Sequence, residues 1–309
     1  MPIYKITDSE IHFIKEQTFK LEKEIQNICE KNLDKLLSIV FIKSEFRINE
    51  FRIDSLAYDE KSKSFIIIEY KRDKNFSVID QGYAYLSLML NNKADFILEY
   101  NESTGESLKR TEVDWSQSKV IFIAPSFTNY QKEAINFKDL PIELWEIKKY
   151  SNNTISFKQI VTKGSIESIS TITKPNDEIG KVIKEIKVYK EEDHLACGSQ
   201  EIVELYLKLR NYILEIANDI EIKPTKLYLA FLNITNFCDI SILKKSLKIW
   251  INLNYGELKD PKTISRNVAD IGHHGNGDYE IQISNDENLE YITSLIKDAY
   301  YIIKERNKY

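Results

Sequence analysis

The chain has only three cysteines, Cys29, Cys197 and Cys238, spaced neither as a disulfide scaffold nor as a zinc site. A reducing, cytoplasmic setting is expected from that usage. No apolar run approaches the ~18 residues of a membrane span, and the opening Met-Pro-Ile-Tyr-Lys-Ile lacks the apolar core of a signal peptide. No membrane association is expected. An excess of positive charge is also missing: 43 Lys and Arg stand against 48 Asp and Glu, for a net charge of −5. That balance excludes a global basic footprint of the kind that drives tight phosphate binding. Any nucleic-acid role then needs a local basic groove, or a homodimer or protein partner that supplies basic surface.

What is present describes a soluble globular protein, with 42% hydrophobic and 29% charged residues. A length of 309 residues accommodates two domains of ordinary size. The densest information lies in residues 52–71. Two apolar-rich runs flank the polar, turn-like Asp59-Glu60-Lys61-Ser62-Lys63-Ser64 and predict a hairpin. The second run, Phe65-Ile66-Ile67-Ile68, reads as a strand buried on both faces and ends in Glu69-Tyr70-Lys71. Residues two apart on a strand share a face, so Glu69 and Lys71 project together. A suitable register brings Asp54 on the neighbouring strand beside Glu69. Two carboxylates and an ammonium at the end of a buried hairpin suit a magnesium-dependent phosphodiesterase, because magnesium takes hard oxygen ligands and keeps several waters. The same Glu-x-Lys spacing also describes a solvated strand face or a cross-strand ion pair.

Further elements fall around this hairpin. Upstream lies the Glu-bearing segment Leu21-Glu22-Lys23-Glu24-Ile25-Gln26-Asn27-Ile28-Cys29-Glu30-Lys31-Asn32-Leu33, followed by Ser44-Glu45-Phe46. Downstream, the segment Ser77 to Tyr85 carries Gln81-x-x-x-Tyr85. In this order the elements resemble the PD-(D/E)xK nuclease superfamily. The nearest likeness is to RecB-like or NucS-like nuclease domains of uncharacterised bacterial and archaeal proteins. The resemblance covers residues 15–150 and implies a restriction-endonuclease-like mixed sheet flanked by helices. It implies that Asp54 and Glu69 bind metal, that Lys71 is catalytic, that Glu30 completes the metal shell and that Gln81 positions the site. The literal Pro-Asp of the pattern is Ile53-Asp54 here. Glu24 also fits the helix position loosely, and Glu30 and Gln81 read equally as ordinary helix-surface residues. Arg52 and Lys43 are candidate DNA contacts or solvated strand-edge charges. The implied cofactor is Mg2+, with Mn2+ as a substitute, and the implied partner is DNA, in a setting of defence or repair.

The domain reading is a nuclease-like domain at 1–160, a linker at 161–198 and an α+β domain at 199–309. In the first domain we expect a helix over 8–38 with Asp8-Ser9 as its cap, a helix at 77–91, and strands at 96–100, 120–124 and 142–147. The third segment reads as a helix over 201–218, strands near 226–232, 236–242, 246–253 and 278–284, and a terminal helix over 289–304. It resembles the small domain of unknown function that accompanies such nuclease domains. Its densest polar cluster, Arg266 to Glu280, places His273, His274 and Asp278 among three glycines. These residues form either a second ligand site or a Gly-rich loop stapled by hydrogen bonds.

Overall fold

The computed structural model describes residues 2–73, 77–137, 140–161, 182–183, 185–233, 235–272 and 274–306. The chain divides into two compact units, Met1–Val188 and Tyr189–Tyr309. Most of the expected linker, from 162 to 181, lies outside the described residues.

The first unit opens with a two-stranded ribbon, β1 (Ile3–Thr7) and β2 (Glu10–Ile14), followed by β3 (Glu16–Gln17) and the helices α1 (Glu22–Glu30) and α2 (Leu33–Leu37). Then come β4 (Val40–Ile48), β5 (Phe51–Asp59), β6 (Ser64–Tyr70), α3 (Val78–Asn91), α4 (Lys93–Thr104), β7 (Lys119–Ala124), α5 (Asn129–Ala134), β8 (Ile142–Tyr150) and β9 (Ile155–Gln159). Seven strands form one sheet in the order β3-β8-β7-β6-β5-β4, with β9 on β8. β6, β7 and β8 are parallel, while β4, β5 and β6 form an antiparallel meander. Every residue of β6 is buried, as the unbroken apolar run predicts for a strand covered on both faces. Phe65 and Ile67 join the core with Val78, Tyr83 and Leu86 of α3. Ile66, Ile68 and Tyr70 join Ile25 and Cys29 of α1 on the other face. The expected mixed α/β sheet flanked by helices, with a smaller unit after it, is the architecture observed.

Two expected elements are corrected. Residues 8–38 are not one helix: Asp8 and Ser9 have φ of 51° and 69° and form the two-residue turn between β1 and β2. Positive φ at both central positions matches a right-twisted hairpin turn, and the helix begins only at Glu22. Phe96 to Tyr100 is not a strand but part of α4. Only Phe96 and Tyr100 in that run are buried, and their four-residue spacing puts them on one helix face. There Phe96 meets Phe46 at 5.3 Å and Tyr100 meets Tyr58 at 4.9 Å between ring centroids. Gly105 closes the helix at φ 75°, donating to the Asn101 carbonyl, as an αL C-cap does.

The second unit carries α6 (Glu191–Leu195), α7 (Gln200–Leu214), β10 (Glu221–Pro224), β11 (Leu229–Asn233), β12 (Thr235–Leu243), β13 (Ser246–Ile251), β14 (Arg266–Asn267), β15 (Tyr279–Ile283) and α8 (Leu289–Arg306). Its six strands run β10-β11-β12-β13-β15-β14, every pair antiparallel. Tyr206 and Leu209 of α7 and Ile292, Ile296 and Tyr300 of α8 share a core with Ile240, Ile249 and Ile281 of the sheet. Among the described residues, no helix is long and apolar enough to cross a membrane.

Candidate active site

The β5–β6 ladder ends at the pair Ser55↔Ile68, so Asp54 and Glu69 stand opposite one another just beyond it. Alternation puts both side chains on the α3 face, in line with Leu56 and Ile67. Asp54 replaces the missing ladder bond, its Oδ2 accepting the Tyr70 N–H at 3.0 Å. Glu69 is only 4% exposed. Its Oε1 accepts from Lys71 Nζ at 2.6 Å and from Gln81 Nε2 at 3.1 Å. Gln81 Nε2 also lies 3.2 Å from the Tyr85 hydroxyl, one helical turn further on. The structure thus brings Asp54, Glu69, Lys71 and Gln81 together.

Burial pushes the Asp54 carboxyl up to about 6, reinforced by the Glu69 charge, while the Tyr70 N–H and the Lys71 ammonium act against the rise. Burial, and then Glu69, also push the Tyr85 hydroxyl up. Close packing of like charges at an apolar sheet end produces such shifts, and they cluster at functional sites.

A divalent cation fits this donor set. Glu69 Oε2 is buried without a hydrogen-bond partner, a position that ordinarily calls for an ion or water. Among the described residues no group of three or more His, Cys, Asp or Glu side chains could hold a metal. The carboxylates brought together at this end of the sheet are Asp54 and Glu69, and an ion that keeps most of its waters needs only one or two.

Glu30 lies behind this group, on the α1 side of the sheet. Its Oε1 accepts from Ser55 Oγ at 2.6 Å and from Gln26 Nε2 at 2.8 Å. Gln26, 4% exposed, also donates to the Asp54 carbonyl at 2.9 Å and to Ser44 Oγ at 3.2 Å. Glu30 therefore reaches Asp54 through an amide that grips its backbone. Sequence reasoning missed Gln26 and Ser55. The available signal was Gln26-x-x-x-Glu30, two polar groups stacked one turn apart and flanked by the buried Ile25 and Cys29. The two candidate DNA contacts are already paired: Lys43 with Glu99 at 2.9 Å and Arg52 with Glu45 at 2.9 Å.

Gly82 sets how closely α3 approaches the sheet. A Cβ there would lie 2.4 Å from Ile142 Cδ1 and 2.9 Å from its Cγ1. Gly82→Val is expected to cost about 1–3 kcal/mol through overpacking and to lift the neighbouring Gln81 from Glu69. Thermal melts check the first effect, and the Gly82→Ala variant should lose less.

In the second unit, Asp278 Oδ2 accepts the Tyr255 N–H at 2.8 Å, and the Asp278 carbonyl accepts the Val268 N–H at 2.8 Å. Gly277 allows the loop to touch β13, since a Cβ there would sit 1.9 Å from the Ile251 carbonyl oxygen. His274 is exposed, and His273 lies outside the described residues. These contacts tie the described part of the loop to its neighbours. Nearby, Asp239 is fully buried and accepts from Asn236 Nδ2 at 2.6 Å and from Asn276 N and Nδ2 at 2.9 Å each. It pins the same loop from below.

Comparison with known proteins places the chain as follows. Residues 191–302 match a family described as a domain of unknown function, DUF5655. An uncharacterized protein of Haemophilus influenzae is 52% identical over 299 residues, covering 97% of this chain and 99% of that protein. Among solved structures, a repair endonuclease from Pyrococcus abyssi aligns with 43% of this chain and 49% of its own at 20% identity and TM-score 0.25. An EndoMS–dsDNA complex aligns with 44% and 50% at 18% identity and TM-score 0.22. Pyrococcus furiosus SfsA with Ca2+ aligns with 48% and 75% at 16% identity and TM-score 0.24. The chain spans about half the length of the first two of these structures.

Proposed function

The chain belongs to the same family as the uncharacterized Haemophilus influenzae protein, and for it we propose a magnesium-dependent nuclease of the PD-(D/E)xK type that hydrolyses DNA phosphodiester bonds. One observation carries this reading. Glu69 shares one oxygen between Lys71 and Gln81, keeps the other buried with the Tyr85 hydroxyl nearby, and its charge helps hold the Asp54 carboxyl up. An ordinary cross-strand ion pair has no need of a second buried carboxylate with its pKa raised.

In this reading Asp54 and Glu69 hold the ion, with Mn2+ able to replace Mg2+. Bound there, magnesium supplies an acidified water and offsets charge on the phosphate. Lys71, fixed by Glu69 at 2.6 Å, orients the attacking water and stabilises negative charge on the phosphoryl oxygens. Water adds to phosphorus and gives up its proton to solvent, one P–O ester bond breaks, and the departing oxygen takes a proton from solvent. Gln81 holds the Glu69 carboxylate in place, and Gln26 with Glu30 holds the Asp54 backbone.

The test is a panel of end-labelled DNA and RNA duplexes, single strands, flaps and mismatches with Mg2+, with Mn2+, and with EDTA. We expect DNA cleavage that requires the metal and is lost in Asp54→Ala. Absence of cleavage across the panel, or equal cleavage by Asp54→Ala, would sink the proposal.

A second reading, a nuclease-fold scaffold without activity that binds nucleic acid or a protein, draws on the net charge of −5 and on the pairing of Lys43 and Arg52 with carboxylates. Calorimetric titration with Mg2+ separates the two. Binding that disappears in Glu69→Ala belongs to the nuclease reading, and no binding belongs to the scaffold.

A further inference from the structure

The β1–β2 ribbon carries an apolar face that faces solvent. Tyr4 is 48% exposed, Ile6 74%, Ile11 67% and Phe13 62%. The register pairs Tyr4 with Phe13 and Ile6 with Ile11, and alternation puts all four side chains on one face. The Tyr4 and Phe13 rings pack edge to face at 5.8 Å. The charged residues lie on the opposite face, where Lys5 pairs with His12 and Thr7 with Glu10. An isolated two-stranded ribbon is marginal in water, and scattered single apolar residues would need no explanation. Four on one side of a well-formed hairpin do.

We propose that this face is a homodimer interface, its occupant the same ribbon of a second copy of the chain. Three features favour a second copy. The face bears no charge, so nothing repels a twin and nothing recruits an ionic partner. Its pattern is self-complementary: an aromatic pair at one end and an isoleucine pair at the other. A two-fold axis lying in the plane of the interface, across the strands, stacks each aromatic pair on the partner's isoleucines, large on small, as an isologous interface requires. The two ribbons then lie ~10 Å apart, as packed sheets do.

The area also fits. With half to three-quarters of each side chain exposed, and large side chains offering ~150–250 Å², the patch amounts to roughly 400–500 Å² per chain. Face-to-face stacking therefore removes at most about 800–1,000 Å² in total, below stable interfaces and within the range of weak, transient ones. A weak, reversible dimer is expected. This inference does not rest on the nuclease reading, and its test uses no activity.

The test is sedimentation velocity of the full chain from ~1 to ~100 µM. Wild type should shift with concentration from a 36.2 kDa monomer towards twice that mass. Ile6→Thr with Ile11→Thr keeps the β-branched shape that favours the strands and removes apolar surface. It should raise the dissociation constant by about 30-fold or more, with an unchanged circular dichroism spectrum. Lys5→Ser with His12→Ser, on the opposite face, should leave the wild-type curve in place. A wild-type chain that remains monomeric at ~100 µM overturns the proposal. So does a dimer that the Ile6/Ile11 double variant leaves intact.

Discussion

Lys71→Ala is expected to lower DNA cleavage by about 10³-fold while leaving magnesium binding as tight as in wild type, or tighter. The asymmetry comes from what the ammonium touches. Its Nζ sits 2.6 Å from Glu69 Oε1, where it offsets the carboxylate that the ion would use, so removing it takes away a competitor for that oxygen. The catalytic loss has a different origin. The attacking water and the phosphate would then lack the ammonium fixed beside the two carboxylates, and a preorganised charge in a water-poor site is worth several kcal/mol. Lys71→Arg should not restore the rate, because a planar fork cannot occupy the place of a compact ammonium 20% exposed at a sheet end. Single-turnover cleavage and calorimetry on the same preparation check both halves. Cleavage within a few-fold of wild type would remove Lys71 from the mechanism, and loss of magnesium binding would make it a structural support of the pair.

Sequence pattern sufficed for the hairpin but not for its surroundings. Phe65 to Ile68 is legible because three successive β-branched isoleucines follow a polar turn, a combination that favours a buried strand over a helix. The adjacency of Asp54 and Glu69 then follows from a register that the Asp59–Ser64 turn fixes. Residues 8–38 were misleading because Asp and Ser suit a helix cap and a two-residue turn equally, and only the positive φ values of Asp8 and Ser9 separate the two. Phe96 to Tyr100 was ambiguous for another reason: five apolar-rich residues are too short for period 2 and period 3.6 to diverge. The partners of Lys43 and Arg52 were invisible for a third. Glu99 arrives from α4, and Glu45 turns towards Arg52 from a residue with φ of 54°; neither placement is encoded in nearby spacing. The roles proposed for the site residues come from resemblance alone, whereas Gln26 is visible only once α1 is laid on the sheet.

Asp54→Asn should stabilise the metal-free protein at pH 7.5 even as it abolishes cleavage. With its pKa pushed from 3.8 to about 6, the native carboxyl ionises less readily than the unfolded one. Below about pH 4 Asp54 is protonated in both states and imposes no cost. Between about pH 4 and 6 the unfolded carboxyl ionises freely in water while the native one holds its proton, and above about 6 the native chain carries a partly buried charge beside Glu69 at full cost. At about 1.4 kcal/mol per pH unit, and discounting for partial exposure, the cost at pH 7.5 is about 2 kcal/mol. Asparagine avoids that charge yet keeps a carbonyl to accept the Tyr70 N–H now bonded at 3.0 Å. The variant should therefore melt about 4–8 °C higher at pH 7.5, with its advantage roughly halved at pH 5 and nearly gone at pH 4. Millimolar magnesium should narrow or reverse the order, because ion binding stabilises only a native state that retains both carboxylates. A lower melting temperature for Asp54→Asn in EDTA at pH 7.5 would mean that the Asp54 carboxylate is a structural anchor. A higher one, closed by magnesium, would mean that the fold accepts a destabilising charge at this position because the ion requires it.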